Sequence, residues 1–380
     1  MIKLLYITNI PTPYRQKRFN KLSELSLQNG IALEVLYMAK TEPNRNWVIK
    51  KDTYKYNYKI FKGVHPRIGR FFAHFNPSLL LRLLKKDYDI VIVGGMASPT
   101  HWLAPFFIPK NRIQIMSIES NLHSVERKTG IGAKVKKLLL SKANAYQVTG
   151  NPQKKYIEFF YPDARKKMYI KLPNLIDENV FRDKVLELIK NRSYLRNGYG
   201  VQENDQMWVL PARLISVKGI LPFLELLKDI KNVKLFILGD GELTNTISDY
   251  IDDNNISAYL VGFVQQDDVL KYYAAADLFV LPSLKDPSPL TPIEAIASGL
   301  PLLVSSRIGN LEDVLEENIN GWSYDPIEEV QKGRELIEKI SKLSIIDLQT
   351  ISKNSSKRYA DMFNTDECIL QYIKELKKLY

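Results

Sequence analysis

A single cysteine, Cys368, in 380 residues rules out an internal disulfide framework and predicts a reducing compartment. No window approaches the roughly 18 continuous apolar residues that a membrane-spanning helix needs. The opening MIKLLYITNIPTPYR has too short an apolar run and too early a proline for a secretory leader. The four histidines (His65, His74, His101, His123) show no HxxxH-type spacing, so no zinc site is expected. Neither a GxSxG elbow nor a P-loop occurs. Asp87-Tyr88-Asp89 has the form of a metal-binding DxD, but it precedes the strand-like IVIV, at the wrong end of a sheet. Repeats, low-complexity tracts and RRM, KH or helix-turn-helix signatures are also missing, and nucleic acid is not an expected partner.

What is present is a globular composition, 45% hydrophobic and 25% charged, long enough for two cores. Charge is divided unevenly. Residues 1–180 hold 31 Lys+Arg against 12 Asp+Glu, whereas the remainder holds 23 against 30. A basic first half fits either an anionic partner or an ordinary solvated, lysine-rich surface.

Strand-like apolar runs alternate with helical spacing from the first residue. IKLLYIT, IALEVLYMA, YDIVIVGG, IQIMSIES and AYQVTG form one series. MWVLPARL, VKLFILGDG, AYLVGFV, LFVLPS and LPLLVSS form a second. Continuous apolar strands separated by helices predict parallel sheets covered on both faces. The polar stretch between the series reads as a linker. The expected organisation is therefore α/β, two doubly wound domains facing across a cleft: 1–180, a linker at 181–204, and 205–360. A helix over 361–380 packs back on the first domain or caps the second.

Chemistry concentrates at strand ends. KDPSPLTPIEAIASGLP (285–301) puts a proline-stiffened loop after LFVLPS and ahead of a helix. Thr291-Pro292-Ile293-Glu294 fits a capping box, a structural role for Glu294. It equally fits a helix start that meets phosphate, with Ser288, Leu290 and Thr291 as amide donors, because Pro287, Pro289 and Pro292 have none. Arg213 and Lys218 fall on the turn after MWVLPARL. They are either surface cations or a pair suited to a diphosphate. Gly239 and Gly241 begin like a dinucleotide fingerprint that then fails at Leu243 and Thr244, leaving only a tight turn. Glu119 and His123 stand at or just after a strand end in the first half. Beyond them Arg127, Lys128, Lys134, Lys136, Lys137 and Lys142 surround Val135, Leu138, Leu139 and Leu140, with FFAHF (71–75) and Phe106-Phe107 elsewhere in the same domain. Such a segment suits a membrane surface or is a plain solvated helix.

In order along the chain, PNLIDENVF, PARLISVKG, ILGDGEL, LVGFV, YYAAADLFVLPS, DPSPLTPIEAIASGLPLLVS and NINGWSYDP resemble the retaining GT-B glycosyltransferases of family 4 (glycosyl transferases group 1) over about 150 residues. The resemblance implies a metal-independent enzyme that needs no cofactor and uses a nucleoside diphosphate sugar. In it Arg213 and Lys218 would hold the diphosphate, and Asp286 the transferred sugar. Glu294 would hold the ribose, and the Leu290 and Thr291 amides phosphate. Gly262, Phe263 and Val264 would line the base, beside Gly239, Gly241, Ser288 and Pro289. Pro13, Tyr14 and Arg15 replace the family's glycine-rich loop as the acceptor or phosphate loop, and Glu119 or His123 replaces its cleft histidine. The first acid of the family's E-x7-E segment is Asp286, one methylene shorter, and Pro289 stands where a glycine is usual.

These readings predict sugar transfer to an acceptor hydroxyl, on a lipid-linked glycan in bacterial polysaccharide or lipopolysaccharide synthesis. Domain closure would orient the reactants and exclude water. The protein would be cytoplasmic and peripheral on the inner face of the cell membrane, with an anionic surface as partner. A nucleotide-sugar epimerase and an inactive membrane-associated scaffold are the alternatives.

Overall fold

The computed structural model describes residues 1–42, 53–68, 71–125 and 128–380. Over these the chain divides into two compact units, Met1–Leu175 with Thr365–Tyr380, and Ile176–Asn364.

Seven parallel strands make the sheet of the first unit: β1 (Ile2–Thr8), β2 (Ile31–Tyr37), β3 (Asn57–Ile60), β4 (Ile90–Val93), β5 (Ile113–Ile118), β6 (Ala145–Val148) and β7 (Met168–Lys171). Their order is β3-β2-β1-β4-β5-β6-β7. Every residue of β4 and β6 is buried, which is why these strands read as unbroken apolar runs. The edge strands β3 and β7 are short and partly exposed, so NYKI and MYIK carry no such signal. The DxD sequence is structural. Asp87 pairs with Arg82 at 2.7 Å, and Asp89 accepts from the Lys3 amide at 2.8 Å and lies 3.6 Å from Arg112.

The second sheet comprises β8 (Gln206–Pro211), β9 (Val233–Leu238), β10 (Ala258–Gly262), β11 (Leu278–Leu281), β12 (Leu302–Ser305) and β13 (Gly321–Tyr324). The order is β10-β9-β8-β11-β12-β13, and all pairs are parallel. In each sheet the strand order reverses once, between β1 and β4 and between β8 and β11. Open α/β sheets bind ligands beyond the carboxyl ends of strands at such a reversal.

Two boundaries differ from the sequence expectation. Residues 181–204 are not a linker but part of the second unit. A π-helical turn at Asn179–Lys184 and the helix Val185–Ile189 bury Phe181 and Val185 in its core, and Val201, just after the helix Arg192–Gly198, joins them. Two of the charges that suggested a linker point inward: Arg192 and Arg196 bond the buried Asp277 at 2.5 and 2.8 Å. That carboxylate also accepts from the Met207 amide at 2.7 Å. At the other end, the helix Ile345–Phe363 stays with the second unit, and the final helix, Thr365–Leu379, starts after Asn364. It belongs to the first unit, where Ile369, Tyr372, Ile373 and Leu376 share a core with Phe19 and Leu22. Tyr372 donates to Gln147 inside that core at 2.5 Å.

Candidate functional site

The second unit collects its chemistry on four loops at one sheet edge, because each follows the carboxyl end of a parallel strand. After β8 the chain runs through Arg213 into a short 3-10 turn, Ser216–Lys218, then Gly219 and the helix Ile220–Leu227. Gly219 adopts φ 65°, and a Cβ there would stand 2.3 Å from the Pro282 carbonyl oxygen. Only glycine therefore allows the β8 turn to lie against the loop leaving β11. The two are bonded directly: the amides of Leu284 and Lys285 donate to the Val217 carbonyl at 2.9 and 3.3 Å.

The turn after β9 is fitted as tightly. At Gly239, φ 148°, a Cβ would fall 1.9 Å from the Ala212 oxygen. The Leu214 amide bonds the Asp240 carbonyl at 3.0 Å, and the Gly239 amide bonds Gly262 at 2.8 Å. Gly239 and Gly241 thus let three loops pack backbone to backbone, placing Arg213. After β10, Val264 packs against the core while the Phe263 ring is 72% exposed.

The two cations differ in state. Arg213 is exposed, and its guanidinium has no ion pair among the described residues. Lys218 is mostly enclosed and bonds the Asp286 carboxylate, itself mostly enclosed. The loop carrying Asp286 is pinned by its own backbone. Its carbonyl accepts from the Gly309 amide at 2.9 Å, and the Pro289 carbonyl accepts from Asn310 Nδ2 at 2.8 Å. Pro289 is buried in that frame.

The capping box does not form. The Ile293 and Glu294 amides bond the Leu290 carbonyl at 2.9 and 3.0 Å, making Leu290 the cap and Thr291 the first helical residue of Thr291–Ala297. Glu294 then falls at the fourth helical position, one beyond the place from which a side chain reaches back to a cap. The hydroxyl of the fully buried Tyr273 donates to it instead, at 3.4 Å. Burial pushes the Glu294 carboxyl up to about 7, against a smaller downward pull from that bond. The Tyr273 hydroxyl is driven well above its ordinary range, also by burial. Sequence reading missed Tyr273, although it stands in YYAAADLFVLPS, and Asn310, which stands in no motif, because both act through contacts made by folding.

In the first unit, Arg15 lies in the first turn of the helix Pro13–Gln28, capped by Thr12. It donates to Thr8 at 2.8 Å and lies 3.6 Å from Glu119. Pro13 and Tyr14 share that turn; their side chains, like residues 126–127 and hence Arg127, lie outside what is described. His123 is exposed on a 3-10 turn, Leu122–Ser124, that Asn121 caps. Arg15 and Glu119 are thus brought together at the carboxyl edge of the sheet. His101, which no spacing singled out, is buried with both ring nitrogens unpartnered among the described residues; burial holds it neutral, down to about 3.

Two units, each built on a doubly wound parallel sheet, make the GT-B fold. Residues 191–358 match the family described as Glycosyl transferases group 1. The chain is 30% identical, over 48% of its length and 47% of the relative's, to alpha-monoglucosyldiacylglycerol synthase of Acholeplasma laidlawii. It is 27% identical to UDP-Gal:alpha-D-GlcNAc-diphosphoundecaprenol alpha-1,3-galactosyltransferase of Escherichia coli, over 59% of this chain and 56% of that one. The chain thus spans only about half the length of these curated relatives. Among solved structures, Anabaena HepE in complex with UDP is similar in fold over 100% of both chains, with TM-score 0.75 and 16% identity. Sucrose-phosphate synthase from Thermosynechococcus elongatus covers 100% of this chain and 99% of its own, with TM-score 0.73 and 17% identity.

Proposed function

We propose that the chain moves a sugar from a nucleoside diphosphate donor to an acceptor hydroxyl with retention of anomeric configuration. The observation that carries this reading is that the β8 turn, which carries Arg213 and Lys218, is joined through Lys218 to Asp286 on the Asp286–Glu294 loop, across the reversal between β8 and β11. Two cations at that edge suit a diphosphate, and Arg213 offers a fork of donors with no competing anion among the described residues. The helix at Thr291 has seven residues, so its dipole is a small addition and the two side chains carry most of the charge stabilisation.

In the proposed reaction the bond between the sugar's anomeric carbon and the phosphate oxygen breaks, and its electron pair stays on the diphosphate. Arg213 and Lys218 stabilise that charge. The acceptor oxygen attacks from the face being vacated, and its proton passes to the departing phosphate. Glu294 accepts from the ribose hydroxyls, the Leu290 and Thr291 amides meet phosphate, and Phe263 with Gly262 and Val264 borders the base. Arg213→Ala and Lys218→Ala should each lower transfer by roughly 100-fold or more with the fold intact, read as donor-dependent product formation. Full activity in both variants refutes the reading. A donor epimerised without acceptor would point to an epimerase instead.

The acceptor belongs, in this proposal, to a membrane-bound glycan of polysaccharide or lipopolysaccharide assembly, met at the cytoplasmic face. Two relatives named for a diacylglycerol lipid and a diphosphoundecaprenol acceptor support it. So does one surface of the first unit. Trp102, Leu103 and Phe106 on the helix Pro99–Phe107, and Ile131, Val135 and Leu138 on the helix Ile131–Lys142, are all exposed. Lys142 lies over the Phe106 ring at 5.3 Å, joining the two helices, while Lys134 and Lys137 are exposed beside them. Apolar side chains rimmed by lysines suit an anionic bilayer surface. Flotation with vesicles containing anionic lipid should carry the protein. Binding that ignores lipid charge and salt refutes the electrostatic part. No helix of the described residues is long and apolar enough to cross a membrane.

A further inference from the structure

The ion pair between Lys218 and Asp286 is held from the backbone up. Asp286 cannot shift freely, since its carbonyl accepts from Gly309 and the preceding amides of Leu284 and Lys285 are bonded to Val217. Lys218 closes the 3-10 turn through its amide to the Ile215 carbonyl at 3.0 Å, and Gly219 then seats that turn against Pro282. Both side chains are largely enclosed, 16% and 12% exposed. An aspartate carboxylate stands one methylene nearer its backbone than a glutamate's, and this one ends on the lysine ammonium.

From this geometry we infer that Asp286 acts on Lys218 rather than on the transferred sugar. It is a positioning residue: it aims the ammonium and offsets its charge until a donor arrives. The inference rests on the reading that Lys218 meets the donor diphosphate. An ammonium has three N–H donors, so Lys218 can keep Asp286 on one and give another to phosphate. A carboxylate so close to bound phosphate opposes binding by like-charge repulsion while keeping the lysine where the leaving charge develops. Arg213, which has no such counter-ion among the described residues, makes the first attraction.

Free nucleoside diphosphates, which carry no sugar, separate the two roles. Calorimetric titration of UDP, GDP and ADP identifies which one binds the wild type, and that one is then titrated into Asp286→Asn and Asp286→Glu. Loss of the competing charge should make Asp286→Asn bind the sugar-free diphosphate several-fold more tightly, while its kcat for transfer drops at least tenfold. Asp286→Glu keeps a carboxylate within reach of Lys218 and should bind the diphosphate within about twofold of wild type. Unchanged or weaker diphosphate affinity in Asp286→Asn, with binding lost only for the nucleotide sugar, assigns the residue to the sugar and overturns the inference. If the wild type binds none of the three diphosphates, the donor-site reading itself fails and takes this inference with it.

Discussion

Replacing Glu294 by Gln should stabilise the protein and impair donor binding, both in a pH-dependent manner. The folded carboxyl is raised from its ordinary 4.5 to about 7 by burial. Folding therefore favours the protonated form. The stabilisation is fully present below pH 4.5 and is lost as pH rises through 7. Linkage puts the cost of holding the ionised group at about 0.8 kcal/mol at pH 5 and about 3 kcal/mol at pH 8, as upper limits. Glutamine is neutral throughout and avoids that cost. For a unit of this size, the variant's thermal midpoint should rise by roughly 2 °C at pH 5 and by up to roughly 10 °C at pH 8. If ribose hydroxyls donate to the ionised carboxylate, wild-type affinity for a nucleoside diphosphate should climb about tenfold from pH 6 to pH 8. The Gln variant should bind more weakly and with a flat profile. Thermal unfolding at the two pH values, with and without nucleotide, reads both effects. A midpoint gain equal at pH 5 and pH 8, or a loss at pH 8, would refute the argument that burial strains this carboxylate.

Asp277→Ala leaves Arg192 and Arg196 without their buried partner and should destabilise the second unit by about 3–5 kcal/mol, measured by denaturant unfolding. Gly239→Ala forces a methyl into the Ala212 carbonyl; it should cost more than about 1 kcal/mol and weaken nucleotide binding by displacing the neighbouring Arg213. Transfer should persist in excess chelator, because protein cations meet the phosphate charge in the proposed mechanism. Activity abolished by chelator and restored by a divalent ion would overturn that part.

Much of the architecture could be read directly. Strands buried on both faces have no polar side to show, so β4, β6, β8 and β11 stand out as apolar runs. Edge strands escaped notice because one side meets solvent over only four residues, as at Asn57–Ile60. The supposed linker misled for a related reason. Charge usually marks exposure, yet Arg192 and Arg196 are drawn inward by Asp277, some 80 positions away in the chain. At the candidate site, the positions of Arg213, Lys218 and Asp286 on loops after strands, and of Glu294 in the helix that follows, were legible in the sequence.

Sequence alone determined the class of element, the parallel sheets and the family pattern, since periodicity and strand-end motifs are local properties. Tertiary structure alone decided what those residues face. It paired Lys218 with Asp286 and left Arg213 open. It also moved the cap to Leu290 and gave Glu294 to Tyr273, and it seated the last helix on the first unit. Each outcome depends on the distance between side chains remote in sequence, and only the packed backbone sets such distances.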